Sequence, residues 1–287
     1  MVRTSDRTNA TPDHMLGHVL RPEDLLTRTT YSSAQPAAEL SRWVERYWSV
    51  EWRFADGEEF RSVTLDDPST NLTHERGGIH RKGISGPGVW FTGPGTAGRF
   101  DAYLTGEGSV VGVKFRPAGH HPFMTGPAEI TANSTYPAAR FFDLADDLAT
   151  LPHNAENAAP LLDRWLLDRS PEDSAELAHL RAMLADLEAH PLDPLEMLAE
   201  RAGCSLRTMQ RQFRRLIGVS PKRIRMRARV FAAAAEIDCG WNRTMGELAM
   251  ELGWFDQAHF VRDFRAVTGS TPAAYAGRRP GPPPGSR

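Results

Sequence analysis

The chain has 287 residues, 40% hydrophobic and 24% charged, with a formal net charge of −2. That is a soluble globular composition, too long for one ordinary core and comfortable for two domains. No run of about 18 apolar residues occurs, so no membrane-spanning helix is expected, and the polar first twenty residues lack the apolar stretch of a secretory signal.

The net charge conceals an asymmetry. Residues 191–287 hold 16 Lys and Arg against 9 Asp and Glu, a net of +7, which leaves 18 against 27, a net of −9, for residues 1–190. A basic segment behind an acidic one points to a polyanionic partner for the C-terminal part, with uneven solvation as the plainer alternative. The two cysteines, Cys204 and Cys239, have no CxxC or zinc-ligand spacing. A reducing compartment, the cytoplasm, is therefore expected, with both thiols as packing groups.

In chain order, residues 1–20 read as a disordered tail. Residues 21–140 carry short apolar runs (Trp48–Trp52, Val89–Thr92, Phe100–Leu104, Ser109–Phe115). They are separated by turn signals such as Asp56-Gly57, Gly86-Pro87-Gly88 and Gly93-Pro94-Gly95. This punctuation predicts a β-rich domain. Trp43, Trp48, Trp52 and Trp90 would either line an apolar pocket there or fill its core. His74, His80, His120 and His121 lack the HxH spacing of a metal site, and adjacent His120 and His121 would face opposite ways in a strand. No metal and no cofactor is expected.

Residues 141–190 change to helical periodicity and predict a helical connector. Leu144, Leu148 and Leu151 form one stripe, Leu161, Trp165 and Leu166 a second, and Leu177, Leu180, Leu184 and Leu187 a third. The third stripe suits a homodimer seam or packing within the chain equally well. Residues 191–279 follow as a basic helical domain, and residues 280–287 are Gly/Pro-rich and expected to be disordered.

The basic domain repeats itself once. Leu198-Ala199 matches Leu248-Ala249 and Gly203 matches Gly253 at an offset of 50. Ser205, Met209, Phe213 and Gly218-Val219-Ser220-Pro221 match Asp256, Phe260, Phe264 and Gly269-Ser270-Thr271-Pro272 at an offset of 51. Each copy thus predicts a first helix (195–202 and 244–252, the second opened by the capping-box pair Thr244 and Glu247) and a glycine turn. A capped second helix follows, burying an i, i+4 pair. Ser220-Pro221 starts a further helix to about Ile237 that joins the copies. A helix, a tight turn and a second helix with basic outward positions is the helix-turn-helix arrangement. A helical protein-interaction hairpin is the alternative, but it predicts no sign of charge on the outward face. Here that face carries Arg207, Arg211, Arg214, Arg215, Arg262 and Arg265.

These residues, with Gln257-x-His259-Phe260-x-Arg262-x-Phe264 and the ending at Pro272 and Tyr275, make residues 191–279 resemble the AraC/XylS family DNA-binding domain. Phe255-Asp256 and the Ala-rich joining helix depart from the usual pattern. The resemblance implies a transcription regulator with a β-rich, cupin-like sensor domain, a helical connector and an all-α domain of two helix-turn-helix units, an α+β multidomain architecture. It implies no enzymatic activity. DNA-repair alkyl acceptors share the double motif but need N-terminal cysteine ligands, and no cysteine precedes Cys204. A cupin-type metalloenzyme fused to a DNA-binding domain remains the enzymatic alternative.

Outward positions early in each second helix are the natural base readers: Arg207, Gln210 and Arg211 in the first copy, Gln257, His259 and Arg262 in the second. Arg pairs bidentately with guanine and Gln with adenine. The family places base contacts at the same six positions. Ser205, Arg214, Arg215, Lys222 and Arg229 are expected on phosphates, while Arg225 and Arg227 would either join them or solvate the joining helix. The expected partners are double-stranded DNA, a small-molecule effector, RNA polymerase and a second copy of the chain, with no membrane partner. Two readers in successive major grooves would stand about 34 Å apart.

Overall fold

A computed structural model describes residues 19–277 except 21, 66, 83, 97–98, 126–131, 145–147 and 149. The expected disordered tails lie outside the described residues, apart from Val19 and Leu20, which form a two-residue strand.

The N-terminal half is antiparallel β. Its elements are β1 (Val19–Leu20), α1 (Pro22–Arg28), β2 (Thr30–Ala34), β3 (Val44–Arg53), β4 (Glu59–Leu65), β5 (Thr70–Arg81), β6 (Ile84–Ser85), β7 (Gly88–Thr92), β8 (Arg99–Phe115) and β9 (Thr135–Pro137). The long β8 is the spine. β5 pairs along one side of it, and β3 and then β4 pair along the other. β2 and β1 extend that second side, while β7 with β9, and β6, extend from β5. Among the described residues the two edges are not joined into a closed barrel.

Alternation sends the two sides of each strand into different cores. One face buries Tyr47, Leu72, Phe91, Val111, Val113 and Phe115 with Phe123, Phe141 and Phe142, and α2 (Ala155–Leu167) closes it with Leu162, Trp165 and Leu166. The other face buries Val50, Trp52, Ile79, Leu104 and Val110 beneath Leu25 of α1. Polar anchors fix α2. Asn154 caps it, the Ser32 and Ser49 hydroxyls accept from the Ala155 N–H, and Asp163 accepts from the Tyr47 hydroxyl at 2.6 Å and the Ala37 N–H at 2.9 Å. Burial and the bond to Asp163 raise the Tyr47 phenol well above its ordinary range.

The connector expected at 141–190 is divided. The stripe through Leu144, Leu148 and Leu151 forms no α-helix among the described residues, which run through turns and short 3₁₀ segments. Leu148 and Leu151 are apolar because they are buried between the sheet and α2, not because they share a helix face. In α2 the buried stripe centres on Leu162, with Leu161 half-buried. Further on, α3 (Ala175–Ala189) buries Leu177, Leu180, Leu184 and Leu187 in the core of the first helix-turn-helix unit. That stripe is therefore used for packing within the chain. Asp186 of α3 accepts from Arg201 at 2.8 Å, and Arg201 also reaches Asp193, which ties α3 to the next helix.

The remaining helices follow the repeat: α4 (Leu195–Arg201), α5 (Leu206–Leu216), α6 (Pro221–Asp238), α7 (Met245–Glu251), α8 (Gln257–Thr268) and α9 (Pro272–Ala276). α3, α4, α5 and the start of α6 share one core. The rest of α6, with α7, α8 and α9, forms another around Trp254, Phe260 and Phe264. Among the described residues no helix is long and apolar enough to cross a membrane.

Candidate nucleic-acid interface

The two units are built by the same local chemistry. Each second helix opens on a side-chain cap, Ser205 accepting from the Thr208 N–H and Asp256 from the His259 N–H. Thr244 and Glu247 form the reciprocal box that starts α7, and the Thr244 N–H and hydroxyl hold the Glu247 carboxyl below its ordinary range. Gly203, Gly218, Gly253 and Gly269 all take positive φ, between 65° and 79°. At Gly253 the φ of 79° is the left-handed conformation that favours glycine, and an added Cβ would also press on the ends of the Leu192 and Arg229 side chains, at 2.9 Å and 3.1 Å.

Inward, Met209, Phe213, Phe260 and Phe264 are fully buried, and so are Leu248 and Ala249, with Leu198 and Ala199 close to it. One side of each second helix is thus fixed in a core and the opposite side must face solvent. On α5, Arg207, Arg211 and Arg214 are exposed and Gln210 half-exposed. On α8, Gln257, Arg262 and Arg265 are exposed and His259 half-exposed. Among the described residues the Arg207, Arg211, Arg214 and Arg262 guanidinium groups have no hydrogen-bonding or ion-pair partner. The six anticipated base readers therefore fall into two groups of three, one on each second helix, on the side away from the cores.

Three anticipated residues carry protein contacts as well. Arg215, still mostly exposed, pairs with Glu176 of α3. Ser205 is occupied as a cap and also meets the Thr208 hydroxyl at 2.9 Å. His259 lies 3.2 Å from Asp263, which also accepts from the Trp254 indole at 2.9 Å. Asp263 was not singled out in the sequence. Its i, i+4 spacing from His259 is the signal that could have found it.

Arg229, expected on a phosphate, is placed otherwise. Its guanidinium donates to the Gly253 carbonyl at 2.9 Å and lies near the Trp254 ring, and burial lowers its pKa. It holds the turn that follows α7. The other joining-helix arginines also turn towards protein. Arg223 donates to the Thr96 carbonyl, Arg225 to the Asp193 carbonyl, and Arg227 pairs with Asp67 at 3.4 Å while lying over Phe231. Lys222, in the first turn of α6, is exposed. Alternating charge along α6 could not separate these roles, because the sequence does not say what packs beside the helix.

The β half places its tryptophans and histidines as follows. Trp43 and Trp52 are core residues. Trp48 donates to Asn71. His120 and His121 sit in a turn and a 3₁₀ segment rather than a strand, so their rings stack at 4.3 Å instead of pointing apart. Among the described residues no group of three His, Cys, Asp or Glu side chains is placed to hold a metal ion.

Residues 198–278 match the family model of a helix-turn-helix domain, and residues 32–137 match a domain of unknown function (DUF6597). The DNA-binding domain of the transcriptional factor AdpA, solved in complex with a target DNA, is 31% identical, with 34% of this chain and 89% of that one aligned and a TM-score of 0.32. ToxT from Vibrio cholerae aligns over 80% of this chain and 98% of its own at 9% identity and a TM-score of 0.42. The unsaturated fatty acid bound form of ToxT aligns over 78% and 96% at 10% identity and 0.42. No curated protein matches.

Proposed function

The chain belongs to the AraC/XylS family of DNA-binding transcription regulators through its C-terminal helix-turn-helix domain, and from that premise we propose that it reads a bipartite operator with α5 and α8 in successive major grooves. The observation that carries this reading is the pair of matched second helices. Each has its aromatic or Met side fully buried and its opposite side lined with exposed Arg and Gln. Arg207, Gln210 and Arg211 read one box, and Gln257, His259 and Arg262 the other, by hydrogen bonds to base edges. The exposed Arg214 and Lys222, with Arg215 once it leaves Glu176 and the helix start at Ser205, neutralise phosphates. Arg229 is omitted from this set because it is committed to Gly253.

The proposed activity is binding, not catalysis. The β half is proposed to act as the sensor for a small-molecule effector, supported by its direct contacts to the reading domain. His121 meets the end of α5, Arg223 and Arg227 of α6 meet Thr96 and Asp67, and Trp43 donates to Asp173 just before α3. An effector that binds one arrangement of these contacts better than another shifts the DNA-binding equilibrium by that difference. RNA polymerase is proposed as the downstream protein partner.

Selection of bound duplexes from a randomised library, at two salt concentrations, tests the reading. Enrichment of two boxes separated by about one helical turn, ~34 Å, supports it. Binding without enrichment counts against base reading, and no binding at low salt removes the regulator assignment.

A further inference from the structure

Four polar side chains stand in one row across the β domain. Thr30 of β2 pairs in register with Glu51 of β3, Glu51 with Ser109 of β8, and Ser109 with Arg76 of β5. Directly paired residues of an antiparallel sheet point to the same face. This row ends the face that further along is the aromatic core under α2, and all four residues line an open cleft of about 530 Å³. That volume is in the range of small-molecule sites.

The row contains an unmet demand. Ser109 is 1% exposed and its hydroxyl has no hydrogen-bond partner among the described residues. A buried unmet hydroxyl costs stability, so its retention between two charged neighbours calls for an explanation. On one side of it, the Arg76 guanidinium is partly buried, oriented by a bond from Nη2 to the Leu151 carbonyl at 2.7 Å. Burial lowers its pKa, which means its charge is incompletely solvated. On the other side is the Glu51 carboxylate, 3.9 Å from the His153 ring at the cleft wall.

We propose that this cleft binds a small carboxylate that also carries hydroxyl or amino donors. The ligand carboxylate lies against Arg76 and accepts from the Ser109 hydroxyl, and a donor group on the same molecule meets Glu51. Two interstrand spacings separate Glu51 from Arg76, about 10 Å between backbones. Less the reach of the two side chains, that distance suits a chain of a few carbons. Arg28, Arg53 and Glu107 also line the cleft, but Arg53 pairs with Glu107 at 2.9 Å and Arg28 with Glu58. The Glu51 carboxylate beside Arg76 is left to oppose a second negative charge on the ligand, so a monoanion fits better than phosphate. The binding inference stands on the cleft alone. Its effect on DNA binding rests on the regulator reading.

Calorimetric titration of the full chain tests it, with D-gluconate and L-glutamine as probes and D-glucose and inorganic phosphate as controls. At least one carboxylate is expected to bind saturably, with glucose and phosphate inert. Ser109→Ala is expected to weaken that binding about tenfold or more, the loss of one hydrogen bond to a charged group. The same variant should melt at the same temperature or higher, because it removes an unmet polar group, so lost binding would not be lost folding. The inference is overturned if neither carboxylate binds at millimolar concentration, if Ser109→Ala and Glu51→Gln bind unchanged, or if a control binds as well. DNA affinity is read separately. Carboxylate binding by a chain that fails to bind DNA would sustain the cleft and remove only the regulator reading.

Discussion

His121 of the β domain holds the end of the first reading helix, with its Nε2 2.8 Å from the carbonyl oxygen of Leu216. That carbonyl is one of the unpartnered acceptors at the C-terminal end of α5, and a neutral imidazole with its proton on Nε2 donates to it. The ring stacks on the fully buried His120, whose Nδ1 meets the Thr70 hydroxyl at 3.1 Å. A seam between domains thus depends on two histidines kept neutral, chiefly by burial.

Acid should weaken the fold through these rings. His120 and His121 titrate below 6.5, and burial brings His74 down to about 4. Below pH 6.5 the unfolded chain takes up protons that the folded chain refuses, so stability is full above 6.5 and is lost as pH falls towards the folded values. Melting temperature should be level near pH 7 to 8 and fall from 6.5 towards 4. A rise on acidification would contradict the assignment. His74→Leu should flatten part of the fall.

Arg211→Ala or Arg262→Ala should relax base preference within one box and leave the other unchanged, at a cost of about 1–3 kcal/mol on the preferred site. Competition binding against single-base variants of the selected operator measures this. A uniform loss over all sequences would make that arginine a phosphate contact.

Arg229→Ala and Lys222→Ala should separate structure from charge. Arg229 holds the turn after α7 and lies near Trp254 of the second core, so its removal should destabilise that unit by about 1–3 kcal/mol, the loss of a hydrogen bond from a charged group. The salt dependence of DNA binding should not change. Lys222→Ala should leave the melting curve in place and lower the salt slope by about one unit. The reverse pattern would exchange their roles.

Phe213→Ala should cost about 3–5 kcal/mol and Leu180→Ala about 2–5 kcal/mol, although Leu180 lies on α3, outside the repeated motif. A fragment starting at residue 170 should therefore fold and bind DNA, whereas one starting at 191 lacks one wall of the first core. Circular dichroism and thermal melts of the two fragments decide it. Equal stability would return α3 to the role of a connector.

The sequence by itself determined the double motif, because its signals are local. Caps, left-handed glycines and i, i+4 aromatic pairs act within one or two turns, so Ser205, Gly218, Asp256 and Phe264 can be read from neighbours alone. The outward side of α5 and α8 follows from the buried side, which is why the six proposed readers could be named before any contact was known. Strand punctuation likewise gave a β-rich half. Only the tertiary structure decided what lies beside each element. Leu148 and Leu151 fill a core without sharing a helix, and α3 closes the first unit. Arg223, Arg227 and Arg229 serve carbonyls and a carboxylate of other elements. The row Thr30, Glu51, Ser109 and Arg76 gathers residues up to 79 positions apart. Strand register sets such neighbours, and register arises from pairing between distant segments that no local pattern encodes.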